Sequence, residues 1–221
     1  MIDDTPTARR AFILANTGLQ APPHTPELTL HLADEVTPLW RLTEDALAEI
    51  GLPPPFWAFA WAGGQALARY ILDNPAVVRG LQVIDFASGS GIVAIAAMRA
   101  GAASCLAADI DPFAAEAIPL NAMANGVAVT ATCADLLDAP APSWADAILA
   151  GDICYEAPLA TRAMDWLSAA RDKGATVLIG DPGRTYLPKD RLLELACYEV
   201  PTTRELEDFA VKQTRVWTLC G

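Results

Sequence analysis

The chain has 221 residues, 53% hydrophobic and 19% charged, with a formal net charge of −12. This composition excludes a disordered chain. The surplus of acids excludes general binding to nucleic acid or to anionic lipid, and no apolar run reaches the length of a membrane span. What remains is a globular chain suited to a basic partner or a cationic ligand. Cys105, Cys133, Cys154, Cys197 and Cys220 contain no CxxC spacing, and His24 and His31 are the only histidines, so reduced thiols and no metal site are expected. The N-terminus, with Asp3, Asp4, Arg9 and Arg10 before a short apolar patch, does not read as a secretory signal, and the expected location is the cytoplasm.

Residues 1–55 read as an N-terminal extension packing on a main domain of residues 56–221. Residues 7–16 suit a short helix. Leu28, Leu30 and Leu32 alternate with Thr29 and His31 in the period of a strand. Thr43 is placed to cap a helix through Glu44, Leu47 and Ile50, which Gly51 stops and Pro53-Pro54-Pro55 seals. The aromatic run Phe56-Trp57-Ala58-Phe59-Ala60-Trp61 then leads through Gly63-Gly64 into a helix over 65–72. Strand 81–86 is followed by the loop Ala87-Ser88-Gly89-Ser90-Gly91 and a helix to Arg99. Strand 104–108 is followed by a helix opened by Pro112 and running to Asn125-Gly126. Strands 127–132 and 145–150, helix 158–172 and strand 176–180 continue the alternation. A helix is predicted over 189–196, and last strands over 198–200 and 214–219. Alternation of this kind specifies an α/β, Rossmann-like fold: a mostly parallel sheet with helices on both faces, binding ligands at the carboxyl ends of its strands.

Gly89-Ser90-Gly91-Ile92-Val93-Ala94 satisfies G-x-G-x-x-A, and Asp109 lies 18 residues past Gly91. Alone, that fingerprint predicts an NAD-dependent oxidoreductase. Asp85, at the end of the preceding strand, points elsewhere. Its carboxylate would repel a pyrophosphate but welcome S-adenosylmethionine, which carries an ammonium and a sulfonium and no phosphate. Asp109, Asp135, Asp152 and Asp181 follow the other strands and would make this edge a negative cleft. Asp109 is suited to the ribose hydroxyls and Asp135 to an adenine amino group. Asp181-Pro182-Gly183 is equally ordinary turn chemistry. Cys154 has no histidine in sequence context to activate it. Trp57 and Phe59 read as packing residues.

The order acid–loop–Gly-x-Gly, with a returning strand after Glu205-Leu206-Glu207-Asp208, resembles the class I methyltransferases. The resemblance implies a seven-stranded sheet with an antiparallel last strand and S-adenosylmethionine as cofactor. Ala87 stands where that motif has its first glycine, so the loop is expected to hold position 87 in a well that alanine tolerates cheaply. Further segments narrow the likeness. Pro55-Phe56-Trp57-Ala58-Phe59-Ala60-Trp61-Ala62-Gly63-Gly64-Gln65 resembles the tryptophan segment of protein lysine methyltransferases. Asp152-Ile153-Cys154-Tyr155 resembles their D-x-x-Y motif, and Gly180-Asp181-Pro182-Gly183-Arg184 their segment after the fifth strand. Together with residues 114–125 and Arg10-Ala11-Phe12-Ile13, they resemble the family of lysine methyltransferases acting on the electron transfer flavoprotein β-subunit, in its bacterial form.

That likeness implies methyl transfer to lysine ε-amines beside the recognition loop of the flavoprotein. It implies cofactor contacts at Trp61, Asp85, Ser88, Gly89, Ser90, Gly91, Asp109, Ile110, Asp135 and Asp152, and catalytic roles for Asp152 and Tyr155. Tyr155 either walls the lysine channel or hydrogen-bonds the amine. Arg184 contacts substrate, contacts a cofactor carboxylate, or pairs with an acid. Another protein or a small amine as substrate is the alternative within this fold. A non-catalytic scaffold would have no use for such a gathering of acids.

Overall fold

The structure, a computed structural model, describes residues 5–34, 39, 54–202 and 210–220. The helix expected from Thr43 and the acidic run 205–208 lie outside the described residues. Helix α1, Pro6–Asn16, is capped by Thr5, whose hydroxyl accepts from Ala8 N at 3.2 Å. Strands β1, Gly18–Gln20, and β2, Leu30–Leu32, form an antiparallel pair. Leu28, Leu30 and Leu32 all face the core, as their alternation requires.

The main domain runs α2, Ala62–Asp73; β3, Gln82–Phe86; α3, Ile92–Arg99; β4, Ser104–Ala108; α4, Pro112–Ala124; β5, Thr130–Thr132; β6, Ala147–Gly151; α5, Ala157–Asp172; β7, Thr176–Asp181; β8, Leu192–Pro201; and β9, Val211–Leu219. Its seven-stranded sheet has the order β5-β4-β3-β6-β7-β9-β8. Strands β3 to β7 are parallel, and β9 lies antiparallel between β7 and β8. From β3 the chain moves outward to β4 and β5, then returns to the other side of β3 for β6. Strand order therefore reverses between β3 and β6, the point at which a ligand crevice opens.

Successive side chains of a strand point to opposite faces, and here both faces are covered. Val83, Leu149 and Leu178 pack in one core with α2, α3 and α4. Ile84, Phe86, Ile148, Ala150, Val177 and Ile179 pack in a second core with α5. A third cluster joins Ile13 of α1 to Trp57, Phe59 and Phe113, with Trp57 stacked on Phe113 at 5.9 Å.

The helix predicted over 189–196 is not formed. Residues Lys189–Arg191 make one 3-10 turn, and the chain then enters β8. Leu192-Leu193-Glu194-Leu195-Ala196 is too short for periodicity to separate helix from strand. Pairing with β9 decides the matter, through a ladder with an irregularity between Glu194 and Ala196 and an ion pair from Glu194 to Arg215 at 3.1 Å.

Candidate active site at the carboxyl ends of the strands

Beyond β3 the loop places Ala87, Gly89 and Gly91 at φ 53°, 53° and 80°. Ala87 thus sits in the left-handed region, contrary to the expectation that it would be spared it, at a cost of about 1 kcal/mol relative to glycine. The carboxyl of Asp85 is buried beneath this loop. Its Oδ2 accepts from Ser88 Oγ at 2.5 Å and from Ala94 N at 3.0 Å. Ala94 lies in the first turn of α3, whose N-cap is Gly91, so Asp85 caps from the sheet a helix that has no side-chain cap of its own. Burial pushes the Asp85 carboxyl up to about 7 against these two hydrogen bonds, and Asp109 pushes it the same way.

Gly89 N donates to Asp109 Oδ2 at 2.8 Å, and Asp111 N donates to Asp109 Oδ1 at 2.9 Å. Burial raises the Asp109 carboxyl above its ordinary range. Asp111 caps α4 by accepting from Phe113 N and is itself pushed up to about 6 by burial. Between them Ile110 is 70% exposed, an apolar side chain presented on a polar edge. Asp135, after β5, accepts from Leu137 N at 2.9 Å, while its other oxygen lies 3.8 Å from Arg162 Nη2. Ser88 and Ser90 are buried in the loop, and the Ser90 carbonyl accepts from Asn121 Nδ2 at 2.8 Å.

Asp152, after β6, has φ 56°, a conformation Asp tolerates better than most residues. Its Oδ2 accepts from Gly64 N at 3.0 Å, in the first turn of α2. Its Oδ1 accepts from Arg184 Nη2 at 2.8 Å and Nε at 3.2 Å. Glycines permit this approach. A Cβ on Gly63 would strike the Gly180 carbonyl and come within 2.5 Å of Asp152 Oδ2, and one on Gly180 would strike the Gly63 carbonyl. A Cβ on Gly151 would lie 3.0 Å from the Gly64 backbone. Asp181 turns its Oδ1 to the N–H groups of Gly183 and Arg184, at 2.6 and 2.7 Å, and burial pushes it up to about 6. Its turn thereby presents Arg184 to Asp152.

The guanidinium of Arg184 also lies over the ring of Trp61, 5.9 Å from its centroid. Trp61 Nε1 donates to the Phe56 carbonyl at 2.9 Å. The Phe56 ring meets Trp61 and Tyr155 edge-on at 5.8 and 5.9 Å. Phe56 and Tyr155 are half-exposed, and burial raises the Tyr155 phenol. Cys154 is buried and its thiol is pushed up to about 12, so it stays protonated and inert at neutral pH.

Three features of this edge were not read from the sequence. Phe56 links Trp61 to Tyr155. The Gly63-Gly64 pair is the contact surface of α2, not only its lead-in. Asn121, in the last turn of α4, and Asn125, its C-cap, stand in for a strand partner. Asn121 Oδ1 accepts from His31 N at 2.7 Å, and Asn125 accepts from Thr29 N at 3.0 Å while donating to the Thr29 carbonyl at 2.6 Å. Two amides spaced i, i+4 on an alanine-rich helix were the available signal.

Residues 65–179 match the protein family described as "Ribosomal protein L11 methyltransferase (PrmA)". The chain is 38% identical over 218 residues to a protein of Xenopus laevis named electron transfer flavoprotein beta subunit lysine methyltransferase, covering 96% of this chain and 87% of that protein. It is 36% identical over 215 residues to the protein of the same name from Homo sapiens, covering 94% of this chain and 80% of that protein. The crystal structure of magnesium protoporphyrin IX methyltransferase from Synechocystis PCC 6803 with bound SAM is similar in fold, with a TM-score of 0.52 and 15% identity over 71% of this chain and 78% of that chain.

Proposed function

The chain belongs to the family of electron transfer flavoprotein β-subunit lysine methyltransferases, and from that premise we propose that it methylates lysine ε-amines of the flavoprotein β-subunit, near its recognition loop, using S-adenosylmethionine. The observation that carries this reading is that Asp85 and Asp109 hold Ser88 and Gly89 of a loop of positive φ at the point where strand order reverses, with Asp152 at the end of the adjoining β6. The residues present fit the cofactor. The loop face is open at Gly89, where an added Cβ would meet nothing nearer than the Phe56 carbonyl at 3.9 Å. The carboxyls around it suit a ligand bearing an ammonium and a sulfonium. When bound, that ligand supplies an electrophilic methyl group on sulfur.

In this reading Ser88, Gly89, Ser90 and Gly91 cradle the amino-acid end, with Asp85 beneath them as the source of negative potential. Asp109 takes the ribose hydroxyls, Ile110 offers apolar cover, Asp135 reaches the adenine amino group, and Trp61 flanks the site. Asp152 and Tyr155 receive the lysine. A free lysine has a pKa near 10.4, so only about one in a few thousand is neutral at pH 7. The ammonium must first lose its proton to water. The neutral amine held by Asp152 and Tyr155 would then take up the methyl group that the bound cofactor supplies, and the methylated ammonium would shed a proton to water in turn. Asp152 aims the nitrogen, so positioning is the main catalytic contribution.

We take residues 1–55 as an extension packing on the methyltransferase domain of 56–221, a reading that the contacts of α1 and β2 with α4 support. Among the described residues no helix is long and apolar enough to cross a membrane. We place the enzyme in the cytoplasm. Incubation of the protein with S-adenosylmethionine and purified flavoprotein β-subunit should give methylated lysines by mass spectrometry. Calorimetry should show binding of S-adenosylhomocysteine and not of NAD. An unmodified β-subunit would defeat the substrate assignment, and binding of NAD alone would defeat the cofactor assignment too.

A further inference from the structure

A lysine aimed by a lone carboxylate is held in its ammonium form, which cannot attack a methyl group. Asp152 is not alone. One of its oxygens receives two N–H groups of Arg184, and the other receives the N–H of Gly64 at the positive end of α2. The Arg184 side chain is itself held from two sides. Its backbone N–H is fixed by Asp181 Oδ1, and its guanidinium rests on the Trp61 ring. We propose that Arg184 neutralises Asp152 at the seat of the amine, so that the carboxylate can aim the incoming lysine without holding it charged. The inference rests on the reading of this protein as a lysine methyltransferase and assigns Arg184 a positioning role within it.

Of the other described groups around the seat, Asp181 acts on Asp152 and is itself drawn to Arg184, so the guanidinium serves two carboxylates. Cys154 and Tyr155, from the segment after β6, are both raised by burial and neutral at pH 7. Glu156 and Asp109 act on the Tyr155 phenol. Asp109 is turned to the N–H groups of Gly89 and Asp111, and Asp181 to those of Gly183 and Arg184. The first turn of α2, residues Ala62-Gly63-Gly64, carries no ionisable side chain and contributes only backbone N–H. Among the described residues the cation hydrogen-bonded to Asp152 is Arg184.

The test compares wild type with Arg184→Met and Arg184→Lys, each first shown by calorimetry to bind S-adenosylhomocysteine. Single-turnover methylation of the β-subunit, at saturating substrate, reports the protonation state of the bound lysine free of product release. Removing the guanidinium should raise the pH at which the rate levels off. The Arg184→Met rate should fall about tenfold or more at pH 7 and recover toward wild type at pH 9 to 10, with Arg184→Lys between the two. A second measurement does not involve turnover. Binding of the β-subunit to the enzyme, titrated at pH 8 in two buffers of different ionisation heat, should release more protons with wild type than with Arg184→Met. A rate that falls equally at every pH, or proton release that is the same in both proteins, would overturn the role of Arg184 while leaving the methyltransferase reading standing. A wild-type protein that never modifies the β-subunit would overturn both.

Discussion

With its carboxyl pushed up to about 7 by burial, Asp85 carries roughly half a charge at neutral pH when no ligand is bound. A cationic ligand favours the ionised form, so binding must expel the remaining proton. Affinity for S-adenosylmethionine should therefore rise between pH 6 and pH 8, and calorimetry in two buffers should show proton release at the lower pH. Asp85→Asn keeps an oxygen for Ala94 N but has no charge to gain. It should abolish that release and weaken binding about tenfold, about 1.4 kcal/mol. It should also raise the melting temperature at pH 8, because a neutral amide is cheaper to bury than a carboxylate. Asp152→Asn should lose about 100-fold in single-turnover rate at saturating cofactor, since the amide can still accept from Gly64 N but aims the amine poorly. Near-normal turnover in that variant would remove Asp152 from the reaction. The acids were legible in the sequence because each follows a recognisable strand. The pairing of Asp152 with Arg184 was not, because 32 residues separate them and only the adjacency of β6 and β7 joins their ends.

At the scale of elements, α2 is the piece on which the site depends. Its first turn lies on the ends of β6 and β7, where Gly63 meets Gly180 and Gly64 meets Gly151. Gly63→Ala should cost about 2 kcal/mol, because its methyl group meets backbone and the Asp152 carboxylate, which cannot both move aside. Gly64→Ala should cost less, since its Cβ would meet only the Ile92 Cγ2 methyl at 3.2 Å and no backbone. Thermal denaturation of the two variants separates these outcomes, and equal losses would contradict the close approach. The glycine pair was visible in the sequence, but its contact partners belong to strands more than 80 residues away. Strand β8 makes the complementary point. Its leucines fit a helix or a strand equally well by spacing, and the free edge of β9 supplied the hydrogen bonds that chose.

Across the whole molecule, the net charge of −12 is concentrated in part on one edge of the sheet. Asp85, Asp111 and Asp181 all hold their protons more tightly when folded than the ordinary carboxyl value of 3.8. The stability due to their protonated forms is fully present below pH 3.8 and is lost as pH rises through about 6 to 7. The melting temperature of the ligand-free protein should therefore fall between about pH 4 and pH 7, and saturating S-adenosylmethionine should return part of the loss at the upper end. A flat profile would mean that the buried acids are better compensated than their surroundings indicate. The sequence by itself determined the α/β alternation, the glycine loop and the acids at the strand ends, because these depend on periodicity and on residues close together in the chain. Tertiary structure alone decided that Ala87 takes a left-handed conformation, that Asn121 and Asn125 replace a strand, that residues 192–196 are strand and not helix, and that Arg184 meets Asp152 over Trp61. Those outcomes are set by which edges and ends are brought together, and strand order is not written in any local pattern.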